Sequence, residues 1–328
     1  MSMEYVYGRL RGRRARLLKP EIYETLIRED LSSYENVLKD TRYGRYLTDL
    51  KTTKSGLELY ISAVNRAFAD EVRKVESFLE EGKDKESLDA YLSRWDLYNF
   101  ITVIRGKFYN VEPHVVERSI FPAGVLDEVR LRELLQEEDA VSAAERAKIA
   151  FKGLPFTITR EAILSLRNGD LAKFEYHIYS SFYSNVLGRD IHDIVKEFYN
   201  YTIDSKNISM AYISLSGGER PSYWLDGGFI SPKIKRQVLA MEDVEELEEL
   251  VRRYVPIEGA FSLEKIDSAF ERKFYEDVKR GFSVEPVSFF AVMEYLWRVE
   301  MEAINLRTLI YAKSFGIGPE RIKEVIHV

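Results

Sequence analysis

Apolar residues recur at steps of three and four along three long stretches of the chain. Such steps place the apolar side chains on one face of a helix. No segment shows several strands that alternate apolar and polar residues between hairpin turns, so the pattern predicts an all-α fold. The apolar positions are Leu57, Tyr60, Val64, Phe68, Val72, Val75 and Leu79 in the first stretch, Phe174, Ile178, Phe182 and Val186 and then, after a step of five, Ile191, Ile194 and Phe198 in the second, and Leu263, Ile266, Phe270, Phe274 and Val278 in the third.

A second pattern occurs three times, at positions roughly a third of the chain apart. In each copy an acidic residue lies three residues before an asparagine, and a proline lies fourteen residues after that asparagine. Repetition at a fixed interval predicts an internal triplication, with three similar multi-helical domains at residues 1–112, 113–220 and 221–328. The repeated positions are Asp96, Asn99 and Pro113, then Asp204, Asn207 and Pro221, then Glu302, Asn305 and Pro319.

The acid and the asparagine of each copy lie on one face of a helix, because they are three residues apart. The surrounding residues are apolar nearly all round, which is typical of a helix that its neighbours bury. Buried polar groups need hydrogen-bond partners, so we expect each pair to bond a neighbouring helix or its terminus. This interpretation gives the pair a structural role rather than a place in an active site.

A short opening segment precedes each long helix. Residues 17–22 of the first domain match residues 229–234 of the third, and each contains a proline that suits a first helical turn. The counterpart in the second domain, residues 121–126, matches less well. Residues 168–170, Asn-Gly-Asp, are typical of a corner between two helices.

Composition narrows the class of protein. The net charge of −6 argues against a nucleic-acid binder, and the absence of cysteine excludes disulfides and thiol chemistry. No apolar run approaches the roughly 18–20 residues that span a bilayer. The arginine-containing N-terminus lacks the apolar core of a secretory signal. We therefore expect a soluble, cytoplasmic protein without direct insertion into the bilayer.

The sequence lacks the patterns that common catalytic sites require. No phosphate-binding G-x-x-x-x-G-K-[ST] loop and no G-x-S-x-G elbow occurs. The four histidines do not have metal-ligand spacing, and they are His114, His177, His192 and His327. We predict no catalytic residue, no metal site and no cofactor.

Two charged segments are candidates for partner binding. A basic N-terminal segment runs from Arg9 to Lys19, and an acidic run extends from Glu242 to Glu249. Each is interpreted either as a solvated helix face or as a docking surface whose potential orients a partner. Arginines of the basic segment could instead pair within the chain. The candidate partner-binding residues are Arg9, Arg11, Arg14, Tyr43, Glu245 and Glu248.

An ordered set of motifs along the whole chain resembles the C subunit of the archaeal and bacterial V/A-type rotary ATPase, whose eukaryotic relative is the d subunit of the vacuolar proton pump. The motifs are a Y-x-x-x-R-x-R opening followed by L-L, a T-x-Y-G turn, a D-x-x-N helix, a G-G-F-I segment and the closing helix. They lie at residues 5–19, 41–44, 96–100, 227–230 and 298–316. The second domain departs most from the pattern.

The resemblance implies a funnel of three helical domains, present once per complex, on the cytoplasmic end of the membrane rotor ring. Its central opening would take the foot of the central stalk. It would be a non-catalytic part of a peripheral complex that links ATP synthesis or hydrolysis to H⁺ or Na⁺ transport. We expect a polar, charge-complementary interface with the ring and a closer, more extensive interface with the stalk.

Two other functions remain open at this point. One is a free-standing α-helical scaffold that binds protein partners on a concave face, although such repeats usually have 20–50 residues. The other is a metal-independent enzyme that uses an acid–asparagine pair. Three similar copies of the pair favour a structural role over a single active site.

Overall fold

The computed structural model describes residues 2–121, 123–124 and 126–326. Every regular element within these residues is a helix, which confirms the predicted all-α class. In chain order the elements are α1 (Met3–Arg14), α2 (Pro20–Arg28), a 3₁₀ turn (Leu31–Ser33), α3 (Tyr34–Leu38), α4 (Gly44–Leu50), α5 (Gly56–Glu76), α6 (Lys83–Phe108), α7 (Pro113–Ser119), α8 (Glu128–Gln136), α9 (Ala140–Ala150), α10 (Arg160–Arg167), α11 (Leu171–Leu187), α12 (Asp193–Ser216), α13 (Pro232–Val238), α14 (Val244–Arg252), α15 (Leu263–Val284), α16 (Phe289–Ser314) and α17 (Pro319–Val325).

The three acid–asparagine pairs lie on α6, α12 and α16, the long helices that we call the asparagine helices. Each ends in a left-handed residue eleven positions after its asparagine: Asn110, Gly218 or Gly316, with φ of 54°, 75° and 69°. After each of these residues, the next backbone N–H bonds back to the carbonyl five residues earlier. This is the hydrogen bond that closes a Schellman motif, so the three helices stop in the same way.

The prolines that follow these helix ends do not all have the same role. Pro113 and Pro319 occupy the first turn of α7 and α17, where a backbone N–H would have no partner within the helix. Pro20 and Pro232 begin α2 and α13 in the same way, as predicted. Pro221, by contrast, is buried in a segment without helix.

Each asparagine helix packs against the long amphipathic helix of another predicted domain. Helix α6 lies on α11, and α12 lies on α15. Helix α16, near the end of the chain, lies on α5 near its start. The packing therefore crosses the domain boundaries at 112/113 and 220/221, which stay a prediction, and it closes the chain on itself.

The apolar interior has two parts. The larger core is continuous from α1 through α12 and takes in α16, together with Phe274 and Val278 of α15. A smaller core lies between the second half of α12, α13, α14 and the first half of α15, around Val238, Leu247 and Ile266. The two cores share α12 and α15, so these helices hold the smaller core to the rest of the molecule.

Candidate functional site: three clamps around a central cavity

The first acid–asparagine pair holds the backbone of the segment that leads into α8. Asn99 Nδ2 donates to the carbonyl of Phe121 at 2.6 Å, and the Phe121 N–H donates to Asn99 Oδ1 at 2.8 Å. Asp96 Oδ1 accepts from the N–H of Leu126 at 2.7 Å. Both side chains are buried, so the pair satisfies backbone groups that water cannot reach. We call such a pair a clamp.

The second clamp repeats this arrangement on the segment that leads into α13. Asn207 bonds both backbone groups of Leu225, with N···O distances of 3.0 and 2.7 Å. Asp204 accepts from the N–H of Phe229 at 2.8 Å and from that of Ile230 at 3.3 Å. Burial raises the pKa of Asp204 to about 6, although the two backbone N–H groups favour its charged form.

A glycine lies against the carboxylate in both of these clamps. A methyl group on Gly124 would lie 2.3 Å from an oxygen of Asp96, and one on Gly228 would lie 2.0 Å from an oxygen of Asp204. Gly228 also has a φ of +83°, which other residues rarely adopt. Glycine at these positions therefore allows the backbone to reach the acid.

The third clamp holds the beginning of the chain. Glu302 Oε2 accepts from the N–H of Leu18 at 2.5 Å, and its Oε1 accepts from the Tyr43 hydroxyl at 2.8 Å. Asn305 hydrogen-bonds the hydroxyl of Tyr23. The acid here is a glutamate, whose extra methylene extends its reach. The clamp joins α16 to the segment before α2, 284 residues earlier in the chain.

The three acids bond equivalent positions. Leu18, Leu126 and Ile230 each directly precede the N-cap of a short helix: α2, α8 and α13. The counterpart of residues 17–22 in the second predicted domain therefore centres on Leu126 and runs into α8, which begins without a proline. Pro122 and Val125 of the predicted segment 121–126 lie outside the described residues.

Much of the basic N-terminal segment is used within the chain. Arg13 forms a short bidentate ion pair with Glu71 of α5, which also accepts from the Tyr295 hydroxyl at 2.5 Å. Burial would raise the pKa of Glu71, but Arg13 and Tyr295 hold that pKa below its usual value. Arg14 lies 3.4 Å from the buried carboxylate of Glu294. These contacts fasten α1 to α5 and α16.

The other candidate partner-binding residues differ in accessibility. Arg9 and Arg11 are exposed, with Arg9 over the rings of Tyr5 and Phe78 and Arg11 over the ring of Tyr7. On α14, Glu245 is exposed, and Glu248 pairs with Arg252 at 2.7 Å. Tyr43 is only 1% exposed, and its bond to Glu302 gives it a place inside the chain rather than on the surface.

A half-open cavity of about 390 Å³ lies between the long helices, and we call it the central cavity. Its wall draws on α6, α11, α12, α15 and α16, so all three predicted domains contribute to it. Most of the lining is aromatic, from Trp95, Tyr98, Tyr179, Phe182, Tyr183, Phe198, Tyr199, Tyr201, Phe270 and Phe274. Such a surface provides large apolar contact area and rigid side chains for a protein segment.

Charged groups line the same cavity. Arg94 of α6 forms a bidentate ion pair with Glu300 of α16, with one N···O distance of 3.0 Å, and its guanidinium lies over the ring of Tyr91. Asp267 and Glu271 of α15 also line the cavity, together with Lys206 of α12. The cavity therefore joins aromatic contact with fixed charge.

The described residues contain no group of three histidine, cysteine or acidic side chains placed to hold a metal ion. His192 instead contacts Asp84 through Nε2 at 2.6 Å, and its ring stacks on Phe289. His327, one of the four histidines considered above, lies outside the described part of the chain. Within that part, no helix is both long enough and apolar enough to cross a bilayer.

Comparison with known proteins gives one consistent family. A family model described as "ATP synthase (C/AC39) subunit" matches residues 6–325. The C subunit of the A-type ATP synthase of Archaeoglobus fulgidus is 25% identical, over 97% of this chain and 94% of the relative. The C subunits of the A-type ATP synthases of Halorubrum lacusprofundi and Pyrococcus abyssi are each 26% identical over 98% of this chain, and over 96% and 89% of their own lengths.

Proposed function

Because the chain belongs to the ATP synthase (C/AC39) subunit family, we propose that it is the adaptor that seats the central stalk of a V/A-type rotary ATPase on the membrane rotor ring. The C subunit of A-type ATP synthase is a non-catalytic part of its complex. The proposed role is to pass torque between ATP chemistry and the translocation of H⁺ or Na⁺.

The observation that carries this proposal is the central cavity, whose wall takes helices from all three predicted domains. A segment inserted there would contact every domain at once. A force applied to that segment would therefore be shared by the whole protein. We propose that the foot of the central stalk occupies this cavity.

The clamps support the same proposal because they resist opening of the wall. Each clamp ties an asparagine helix to the opening segment of another predicted domain through buried hydrogen bonds. A buried donor or acceptor that loses its partner costs about 1–3 kcal/mol, so domain separation is opposed at every junction. We further propose that the three domains are repeats of one unit and that the protein sits once per complex on the cytoplasmic face of the membrane.

Site-specific crosslinking tests the proposal, since the sequence contains no cysteine and an introduced one is unique. Lys206→Cys, which lines the cavity, would carry a photoactivatable group in the assembled ATPase. We expect it to crosslink to a protein of the central stalk. The matched control is Ile149→Cys on α9, where the native side chain is 81% exposed, and it should give no stalk product. A complex that assembles while Lys206→Cys gives no crosslink to the stalk would refute the proposal.

A further inference from the structure

Glu271 is a carboxylate of the central cavity for which the described residues supply no counter-ion. It lies on α15 and is exposed toward the cavity. Its acidic neighbours are engaged, because Glu300 pairs with Arg94, and Asp267 accepts a short hydrogen bond from the Ser205 hydroxyl. Among the described residues, Glu271 has neither a hydrogen bond nor an ion pair.

The nearby cations of the chain are held elsewhere. Lys206 of α12 lies over the ring of Tyr179 at 4.5 Å, and Arg94 is committed to Glu300. On the other side of Glu271, Arg272 reaches Glu258 at 4.0 Å, and Arg298 pairs with the buried Glu294. Glu302, Tyr23 and Tyr275 are the remaining titratable groups of the neighbouring cavity, and they supply no cation.

An unpaired carboxylate in such a place is electrostatically unfavourable. Although the side chain of Glu271 is open to the cavity, the protein atoms packed around it displace water. This desolvation, followed by the charges of Glu300 and Asp267, raises the pKa of Glu271 to about 7, and Arg94 opposes the shift only in part. An added cation would favour the charged form and gain from all three acids. The cavity is therefore complementary to a positive charge.

A second observation is that two donors in the same wall have no partner within the described part of the chain. The indole Nε1 of Trp95 and the Nε of Arg94 are buried and have no hydrogen-bond partner. Both residues line the cavity, and Trp95 is 7% exposed. Buried donors of this kind need an oxygen acceptor. A peptide segment could bring carbonyl oxygens and a basic side chain together.

We infer that the central cavity recognises its partner through a lysine or arginine side chain, which pairs with Glu271 inside the aromatic wall. This inference rests on the proposed function and adds to it the chemistry of the bound segment. The partner is a segment of the central stalk with a basic residue at its tip and apolar residues beside it. The apolar residues pack on the rings of Phe270 and Tyr201.

The test measures binding of the purified central-stalk proteins to the full chain. Glu271→Gln keeps the shape of the side chain and removes its charge, so we expect affinity at pH 8 to fall by about tenfold or more. Glu276→Gln is the matched control, because Glu276 is exposed on the same helix and does not line the cavity. It should bind the stalk like the unaltered chain.

The pH dependence provides an independent measurement. Protonation of Glu271 removes the charge that the partner needs, so affinity of the unaltered chain should fall about tenfold between pH 8 and pH 6. Glu271→Gln should show no such fall. Equal affinities of Glu271→Gln and the unaltered chain at pH 8 would overturn the inference while leaving the cavity as the stalk site. Failure of the unaltered chain to bind the stalk would overturn the proposed function instead.

Discussion

Asn99 and Asn207 each hold one distant residue by both of its backbone groups. An asparagine side chain suits this task because it carries a donor and an acceptor on one rigid amide. Aspartate offers only acceptors when ionised, so it could bond the N–H but would face the carbonyl with a like partial charge. The need for both a donor and an acceptor therefore explains why asparagine occurs at these positions.

Asn207→Asp tests this argument with almost no change of shape. We expect the free energy of unfolding at pH 7 to fall by about 1–3 kcal/mol, because the carbonyl of Leu225 loses its donor. The new carboxyl, buried beside a carbonyl, should have a folded-state pKa above its unfolded value of about 3.9. The loss should therefore be full above the folded-state pKa and diminish as pH falls through it.

Urea unfolding at pH 7 and at pH 5 would measure the effect. Asn185→Asp on α11 is the control, since Asn185 is exposed and the same substitution there should change stability little. If the two variants had equal stability at pH 7, the bond between Asn207 and Leu225 would not have the role described here.

Glu71 shows which structural features of a residue can be predicted from the sequence and which cannot. It falls among Phe68, Val72 and Val75 on the apolar face of α5, so its burial could be read from the sequence. Its partners could not, because Arg13 and Tyr295 are 58 and 224 residues away. Their meeting depends on how α1, α5 and α16 pack, and no local pattern encodes that packing.

At the scale of elements, the helix ends repeat as closely as the helix interiors. The left-handed residues that end α6, α12 and α16 lie at the same distance from their asparagines, and they place the chain for the turn that follows. Asn110 has this role in the first copy and glycine in the other two. Asparagine and glycine are the residues that adopt this conformation most readily.

Gly316→Ala should lower the free energy of unfolding by about 1 kcal/mol. The cost comes from the backbone alone, since φ is +69° and no other group lies within 4 Å of the added methyl. Gly8→Ala on α1 is the control, because Gly8 lies inside a helix and its added methyl would also have no group within 4 Å. Thermal unfolding should separate the two variants, and equal midpoints would contradict a conformational role for Gly316.

Periodicity predicted the long helices well where one face is buried throughout. The stretch from Leu57 to Leu79 corresponds to α5, and the one from Leu263 continues as α15. The stretch from Phe174 to Phe198 is divided between α11 and α12, because the chain turns at residues 188–192 before α12 begins. The corner predicted at residues 168–170 lies between α10 and α11 and is confirmed.

At the scale of the molecule, the chain closes through contacts that sequence order does not suggest. Helix α16 packs on α5, Glu302 bonds Leu18, and Lys313 donates to the carbonyl of Ile27 at 2.6 Å. We call this junction the seam. The repeat pattern identified Glu302 but not its partner, because the equivalent segment lies at the opposite end of the chain.

Glu302→Ala should be among the most damaging single substitutions. It would leave Arg42, the Tyr43 hydroxyl and the Leu18 N–H without their buried acceptor, at a cost of about 3–5 kcal/mol. Glu320→Ala, which removes an exposed acid paired with Lys323, should cost at most about 1 kcal/mol. Hydrogen exchange should show the segment before α2 opening first in Glu302→Ala. Matching stabilities of the two variants would remove Glu302 from this role.

The seam has a mechanical consequence. The other two junctions between predicted domains have peptide backbone running through them. At the seam, the contacts among the described residues include hydrogen bonds that involve side chains and packing of α16 on α5. When a load pulls the predicted domains apart, a junction that no peptide backbone crosses yields before one that is covalently linked. A large load would therefore separate α16 from the N-terminal segment while the helices stayed folded, and the same contacts could form again when the load was removed.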